Sequence, residues 1–281
     1  IKREWLPAIK PSLHLFGTTK DGVAITGILG DQQAAMFGQV CFEEGESKTT
    51  YGTGNFSLIS TGSKIVKSKH GLITTVLHQI ENEPAQYALE GSVAVTGSAV
   101  QWLRDELQII SKASEIEQLA LTVSDNGGVV FVPALTGLGA PYWIPDARGS
   151  VFGLTRGTER GHLARATLEA LAYQVRDVFD AMGNTGVKLS SLRVDGGASA
   201  NNLLMQIQAD LLQVPIHRPV QLESTALGAA YLAGLGIGAW TMADLNKLNS
   251  IESEFQPQLE REVDYARWKK AVSATIAFAS N

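Results

Sequence analysis

Hydrophobic and polar residues along the first third of the chain predict one helix among several short strands. The apolar run at residues 23–29 predicts a buried strand. Asp31 follows at a position suited to capping a helix over about residues 32–39. Four β-rich segments come next, at 48–51, 55–61, 71–79 and 86–90, with glycine-containing turns among them. We therefore expect a β-meander.

The rest of the chain alternates between helical and strand patterns. Apolar residues recur every three or four positions in 98–110 and in 162–182, which predicts two amphipathic helices. Further helices are predicted at 200–212, 225–235 and 258–279, and strands at 129–132, 192–194 and 216–218. A meander followed by this alternation predicts an α/β fold, with a mixed β-sheet flanked by helices.

Composition is typical of a globular protein and excludes several classes. Hydrophobic residues make up 44% and charged residues 18% of the 281 positions. The net charge is −5 and no Lys/Arg cluster occurs, which argues against nucleic-acid binding. No apolar run reaches the roughly 18 residues of a membrane span. The single cysteine, Cys41, rules out an internal disulfide and favours a cytoplasmic location.

The sequence predicts one large domain preceded by a short separate segment. Residues 21–281 contain no repeat or linker and are predicted to form one domain. Residues 1–20 begin with Ile1 rather than Met and carry apolar side chains, such as Trp5 and Ile9, that call for a packing partner. We expect this segment to be the remnant of a preceding domain, or a linker.

Common phosphate-binding, dinucleotide-binding and hydrolase motifs are absent from the sequence. Neither a P-loop, nor a G-x-G-x-x-G turn opening a helix, nor a G-x-S-x-G elbow occurs. The five histidines lie far apart, so we predict structural histidines with satisfied hydrogen bonds and no metal-ligating residues.

The first of three candidate motifs spans residues 30–35. A strand leads to Asp31 and a helix starts there, so the helix dipole would keep the carboxylate ionised. Such a carboxylate could accept a proton from a substrate hydroxyl. The same position is equally suited to a helix cap with no chemical role.

The second motif, residues 51–56, places Thr53 between Gly52 and Gly54. Without side chains at the flanking positions, backbone N–H groups and the Thr53 hydroxyl could approach an anion closely. An ordinary hairpin turn would use the same residues.

The third motif spans residues 194–202, where Gly196 and Gly197 separate a strand from a helix. A turn without side chains admits a flat ring or a phosphate, and Asn201 would face it from the first helical turn. A helix-capping loop is the alternative.

These motifs occur in the order found in the C-terminal half of the FGGY carbohydrate kinases, and the chain resembles that family over residues 23–236. Residues 149–154 and 162–169 resemble a family signature pattern. Residues 30–39, 51–54 and 101–105 are most similar to the members that phosphorylate glycerol.

The resemblance implies an actin-like, ribonuclease-H-like ATPase domain that transfers phosphate from ATP to glycerol with Mg²⁺. It assigns Asp31 as catalytic base and substrate contact, with Gln32 and Phe56 as further substrate contacts. The nucleotide-binding residues implied by the resemblance are Thr53, Gly97, Gln101, Gly197 and Asn201. Pentulose, tetritol or gluconate kinases of the same family, and a non-catalytic actin-like nucleotide-binding module, stay open as alternatives.

The family's N-terminal domain, which supplies a phosphate-binding loop and further glycerol contacts, has no counterpart in this sequence. We therefore expect the chain alone to be inactive. The expected substrates of the intact protein are ATP and glycerol. The intact protein is also expected to form a homo-oligomer, either a dimer or a tetramer.

Overall fold

The computed structural model describes residues 1–279, and a seven-stranded mixed sheet lies at its centre. In chain order the strands are β1 (Leu13–Thr18), β2 (Ala24–Gly27), β3 (Glu46–Tyr51), β4 (Asn55–Gly62), β5 (Ile73–His78), β6 (Gln86–Val93), β7 (Val130–Val132), β8 (Ser150–Phe152), β9 (Ser191–Asp195), β10 (Ile216–Pro219) and β11 (Ile251–Phe255). The central sheet has the order β11-β10-β9-β3-β4-β6-β5, while β1 pairs with β2 and β7 with β8.

Eight α-helices flank the sheet within residues 1–279. They are α1 (Asp31–Gly38), α2 (Gly97–Asp105), α3 (Glu115–Ala120), α4 (Arg160–Gly183), α5 (Asn202–Leu212), α6 (Ser224–Gly236), α7 (Met242–Leu248) and α8 (Glu262–Ala279). Within residues 1–279, no helix is both long and apolar enough to span a bilayer.

The sheet is mixed because two kinds of connection build it. The connections from β3 to β4 and from β5 to β6 are short, and each of these pairs is antiparallel. Strand β4 also pairs antiparallel with β6, which lies between β4 and β5 in the sheet. Strand β9 returns parallel to β3 after a long crossover that includes α4, and β10 returns parallel to β9 after α5. The predicted α/β fold with a mixed sheet flanked by helices is confirmed.

Helix α4 is the centre of the larger core, which explains the strong apolar stripe in its sequence. It packs against β4, β6, α5 and α8, so even polar positions on it are buried. Asp177 of α4 accepts hydrogen bonds from Tyr265 Oη (2.6 Å) and Trp268 Nε1 (2.8 Å), both on α8. The buried carboxylate therefore holds α8 against the domain.

Helix α1 lies in a second layer, in close contact with α6. A Cβ atom at Gly228 would lie 1.8 Å from the Ala34 carbonyl oxygen, and one at Gly38 would lie 2.1 Å from that of Ser224. Only glycine allows the two backbones to approach this closely. This contact fixes the helix that begins with Asp31.

Several predicted element bounds were wrong. Strand β2 is shorter than the predicted strand at 23–29, and Gly30, not Asp31, occupies the cap position of α1. The helix predicted over 98–110 ends at Asp105, since Gln108 adopts a left-handed backbone (φ +53°). The last helix begins at Glu262 rather than near residue 258.

Strands β1, β8 and β11 and helices α3 and α7 were not predicted at all. Strand β11 shows why: it lies at the sheet edge with a mostly exposed, polar sequence, so no hydrophobic run marks it. The predicted boundary between residues 20 and 21 falls in the turn between β1 and β2. The division into two segments stays a prediction, and residues 280 and 281 of the second lie outside the described residues.

Candidate functional site

A cavity of about 390 Å³ opens beside the end of β3 and the beginnings of α2 and α5. Its lining includes all five residues predicted to bind a nucleotide: Thr53, Gly97, Gln101, Gly197 and Asn201. Apolar side chains of α4, Leu168 and Leu171, lie against it together with Ile116 and Leu204. Such a mixture of apolar lining and a few polar groups is typical of small-molecule sites.

The turn between β3 and β4 forms one side of the cavity and is held by backbone hydrogen bonds. The Gly97 N–H donates to the Gly52 carbonyl oxygen (3.0 Å), and the Thr96 N–H donates to that of Thr53 (2.9 Å). A Cβ at Gly97 would lie 2.6 Å from the same Gly52 oxygen, so this contact requires glycine. The beginning of α2 is thereby fixed next to Thr53.

The opposite side is formed by the segment from β9 to α5. Asn201 caps α5, because its Oδ1 accepts the Leu204 N–H (2.8 Å), so it precedes the first turn rather than lying on it. A Cβ built at Gly197 meets nothing within 4 Å, which means that the residue opens onto free space. Gly196 (φ +83°) makes the turn that precedes it.

Tyr51 connects this cavity to the domain core. Its ring is fully buried, and its hydroxyl donates to Gln208 Oε1 of α5 at 2.8 Å. Burial raises the pKa of Tyr51 well above its usual range, so the hydroxyl stays protonated and remains a donor. The hydrogen bond between Tyr51 and Gln208 thus joins β3 to α5 next to the cavity.

A second group of predicted residues lies at the start of α1. Asp31 is the first residue of the helix, is exposed, and accepts the Gln32 N–H at 2.7 Å through Oδ1. Gln32 Oε1 accepts a hydrogen bond from Lys48 Nζ, and Gln33 Nε2 donates to Thr75 Oγ1 of β5 (3.1 Å). These contacts fix the first turn of α1 over the sheet.

Sheet register places Phe56 on the same side. Lys48 pairs with Leu58, which pairs with Glu90, while Thr50 pairs with Phe56 in the next row. Directly paired residues project from the same face of a sheet. We call Asp31, Gln32, Lys48, Thr50, Phe56 and Glu90 the α1 face.

The electrostatics of the α1 face centre on Lys48, which is fully buried. Burial lowers its pKa from 10.5 to about 8, opposed by nearby carboxylates, of which Asp195 is the strongest and Asp31 the weakest. Burial raises the pKa of Glu90, while Lys48 lowers it. A buried ammonium therefore contacts Gln32, with the charges of Asp195, Glu90 and Asp31 acting on it from beyond ion-pair distance.

The structure divides the predicted site residues into two groups. The five nucleotide candidates share the cavity, while Asp31, Gln32 and Phe56 share the α1 face. Strand β3 joins the groups, with Lys48 and Thr50 on the α1 face and Tyr51 and the following turn at the cavity.

Sequence reasoning missed Lys48 and Glu90. Lys48 lies inside the predicted strand at 48–51. Residues two apart in a strand share a face, so the sequence did place Lys48 and Thr50 on one face of this strand. Glu90 ends a predicted strand and carried no comparable signal. Only the sheet register brings it into the same row as Lys48.

One histidine departs from the prediction of satisfied structural histidines. His78 is 5% exposed, and among residues 1–279 no partner accepts from or donates to its Nδ1. Its ring packs edge-on against Phe37 and Phe42, with centroids 5.2 and 5.9 Å away. Burial accordingly lowers the pKa of His78 from 6.5 to about 4.

Comparison with known proteins identifies the family. The C-terminal domain of the FGGY family of carbohydrate kinases matches residues 47–237. A glycerol kinase from Chloroflexus aggregans is 56% identical over 284 residues, covering 98% of this chain and 57% of that protein.

Solved structures agree in fold. The crystal structure of Plasmodium falciparum glycerol kinase with ADP matches with a TM-score of 0.92 and 40% identity, over 97% of this chain and 56% of that one. A xylulose kinase from Rhodospirillum rubrum, at 24% identity, shares the fold with a TM-score of 0.85, over 100% of this chain and 59% of that one. The predicted actin-like, ribonuclease-H-like fold is confirmed.

The chain spans somewhat more than half the length of these relatives, and the matching part is their C-terminal half. Both the matched domain and the similarity over nearly the whole chain lead to one conclusion: the chain belongs to the FGGY family of carbohydrate kinases, of which it carries the C-terminal domain.

Proposed function

We propose that this chain is the nucleotide-binding, catalytic-base part of an ATP-dependent glycerol kinase, which converts ATP and glycerol to ADP and glycerol 3-phosphate. The single observation that carries the proposal is the division of the site. Five nucleotide candidates line one cavity, and an exposed carboxylate lies at the start of α1, with β3 joining the two.

The cavity suits a nucleoside triphosphate. Apolar side chains such as Leu168 and Ile116 offer a surface for a base, and the open backbone at Gly197 admits a flat ring. The turn at Thr53 offers a hydroxyl and backbone N–H groups to the phosphates. Since Asn201 uses its Oδ1 to cap α5, its amide nitrogen is the group that would donate to the ligand.

Asp31 would act as general base toward the attacking hydroxyl. Its carboxylate lies at the first turn of α1, where Oδ1 accepts the Gln32 N–H at 2.7 Å. Phosphoryl transfer passes through a loose transition state, so catalysis consists mainly of alignment and charge stabilisation. A carboxylate can serve as the base when the proton moves late, after the oxygen has begun to bond to phosphorus.

Mg²⁺ would neutralise charge on the phosphates during transfer. Among residues 1–279 no group of three or more His, Cys, Asp or Glu side chains could hold a metal ion. At kinase sites Mg²⁺ is usually held by one or two carboxylates together with the phosphate oxygens of the nucleotide.

A second domain would complete the glycerol pocket. Asp31 is exposed and Phe56 retains 37% of its surface, so the α1 face is open where an N-terminal domain would close over it. We propose that the complete kinase has such a domain, works in the cytoplasm and forms a dimer or tetramer. Light scattering on the complete protein checks the oligomeric state.

The test uses the N-terminal half of the Chloroflexus aggregans relative joined to this chain, hereafter the assembled kinase. ADP release is measured with glycerol, a pentulose, a tetritol and gluconate, for the assembled kinase and for the chain alone. We expect turnover with glycerol only in the assembled kinase. Preference for another polyol would replace the proposed substrate. ATP binding without turnover on any acceptor would favour a non-catalytic module.

A further inference from the structure

The proposed function gives Lys48 of the α1 face no role, although a fully buried lysine is unusual. It is fully buried in the middle of β3, where its Nζ donates to Gln32 Oε1 and to Thr50 Oγ1 (2.8 Å). Lysine is rarely buried to this extent unless it is paired.

No structural ion pair explains this burial. Among residues 1–279, no carboxylate oxygen comes within 4.0 Å of Lys48 Nζ, and both of its acceptors are neutral. The carboxylates of Asp195, Glu90 and Asp31 stabilise the charge from farther away. Burying the ammonium costs desolvation free energy, which a methionine of similar length would avoid. What the lysine offers in return is its hydrogen bond to Gln32.

This contact determines which way the Gln32 carboxamide points. An ammonium has three donors and no acceptor, so the atom that faces it must be the carbonyl oxygen. The Nε2 group, on the other branch of the carboxamide, is then directed away from Lys48. Without such a partner the two ends of a glutamine amide are nearly interchangeable.

We propose that Lys48 is a positioning residue that holds Gln32 as a hydrogen-bond donor toward the polyol. The proposal rests on the proposed function, in which Gln32 contacts the acceptor substrate. Asp31, when ionised, can only accept, whereas Gln32 held by Lys48 can only donate outward. Two consecutive residues therefore offer one acceptor and one donor, which suits a pair of neighbouring hydroxyls.

The same arrangement gives selectivity. One hydroxyl donates its proton to Asp31, and the oxygen of its neighbour accepts from Gln32. A substrate lacking the second hydroxyl would leave the Gln32 donor unpaired, and sites built to hydrogen-bond a hydroxyl discriminate strongly against analogues without it. Lys48 contributes to this selectivity without touching the substrate.

The test is a double-mutant cycle in the assembled kinase, with Lys48→Met, Gln32→Ala and the double variant. We expect Lys48→Met to raise KM for glycerol about tenfold and to leave KM for ATP within about twofold. In the Gln32→Ala background, Lys48→Met should add less than about twofold. Equal effects of Lys48→Met in both backgrounds would show that Lys48 does not act through Gln32, and an unchanged KM for glycerol would overturn the proposal directly.

Gln32→Glu supplies a second test that does not depend on removing Lys48. Its carboxylate can still accept from Lys48, so the fold keeps the contact, but it presents an acceptor to the polyol instead of a donor. We expect KM for glycerol to rise at least as much as in Gln32→Ala. Wild-type affinity for glycerol in Gln32→Glu would refute the assigned donor role.

A control variant and the polyol panel separate the role of Lys48 from the proposed function. Lys64→Met removes an exposed lysine that pairs with Glu44 and should leave both KM values unchanged. If the assembled kinase prefers another polyol, the substrate in the proposed function is wrong, and the same cycle run with that polyol still decides the role of Lys48.

Discussion

The cavity and the α1 face are built in different ways, although β3 runs through both. The cavity is enclosed by backbone turns and apolar side chains, all from this chain, and its shape is fixed by contacts such as Gly97 to Gly52. The α1 face consists of side chains held by one another, with Asp31 exposed above a buried lysine. Under the proposed function, the chain would supply the cavity for the nucleotide and one side of the site for the polyol.

This difference implies different sensitivities. Residues of the cavity act mainly through the space they leave free, so larger side chains should damage it. Residues of the α1 face act through charge and hydrogen bonding, so substitutions of the same size should damage it.

The largest effect is expected for Asp31→Asn in the assembled kinase. The change keeps the shape of the side chain but removes the base, so we expect kcat to fall about 10³-fold, within the range for general-base catalysis. KM for ATP should stay within about twofold, because Asp31 is not among the residues that line the cavity.

Asp21→Asn is the matched control for this variant. Asp21 is exposed in the turn between β1 and β2, so kcat should be unchanged. A kcat for Asp31→Asn close to that of the wild type would leave Asp31 as an ordinary residue of the first helical turn.

The folded protein should lose stability in acid because of His78, whose ring packs against Phe37 of α1. The folded-state pKa of about 4 lies below the ordinary value of 6.5, so the unfolded chain binds more protons between these values. Stability is thus fully present above pH 6.5 and is lost as pH falls toward 4, by about 3 kcal/mol. Denaturant unfolding of the assembled kinase at several pH values measures the loss.

His78→Phe should remove this contribution, since a phenyl ring can pack on Phe37 and Phe42 without titrating. The exposed His70 is the comparison, and His70→Phe should retain the wild-type pH dependence. The same slope in wild type and His78→Phe between pH 4 and 6.5 would mean that His78 is not buried in its neutral form.

The cavity should respond to bulk rather than charge, and Gly197→Leu tests this. A Cβ at Gly197 meets nothing within 4 Å, so the fold should tolerate the side chain while the cavity loses volume. We expect KM for ATP to rise about tenfold or more, which corresponds to about 1.4 kcal/mol. KM for glycerol should change little.

Gly183→Leu is the control, because a Cβ there also meets nothing within 4 Å and the residue does not line the cavity. Its KM for ATP should equal that of the wild type. If Gly197→Leu behaved in the same way, the nucleotide would have to bind elsewhere.

The sequence allowed much of the cavity to be predicted, and less of the α1 face. Turns such as Gly52–Gly54 and Gly196–Gly197 have local signatures, so motif order was enough to group residues that are far apart in the chain. Lys48 and Glu90 come together only through the register of β3, β4 and β6, which depends on pairings between distant segments. Helix ends were missed for similar reasons: the left-handed backbone at Gln108 ends the helical path in a segment whose apolar spacing still looks helical.

The smallest effect is expected for Asn201→Ala, which concerns the boundary between cavity and core. The Asn201 side chain caps α5 by accepting the Leu204 N–H, and loss of such a cap costs about 1 kcal/mol. The midpoint of thermal unfolding should fall by a few degrees. KM for ATP should also rise if the amide nitrogen contacts the nucleotide, whereas Asn184→Ala, at the end of α4 and outside the cavity, should change neither quantity. A lower melting midpoint with unchanged KM for ATP would assign Asn201 to the fold alone and reduce the nucleotide contacts to the other four residues.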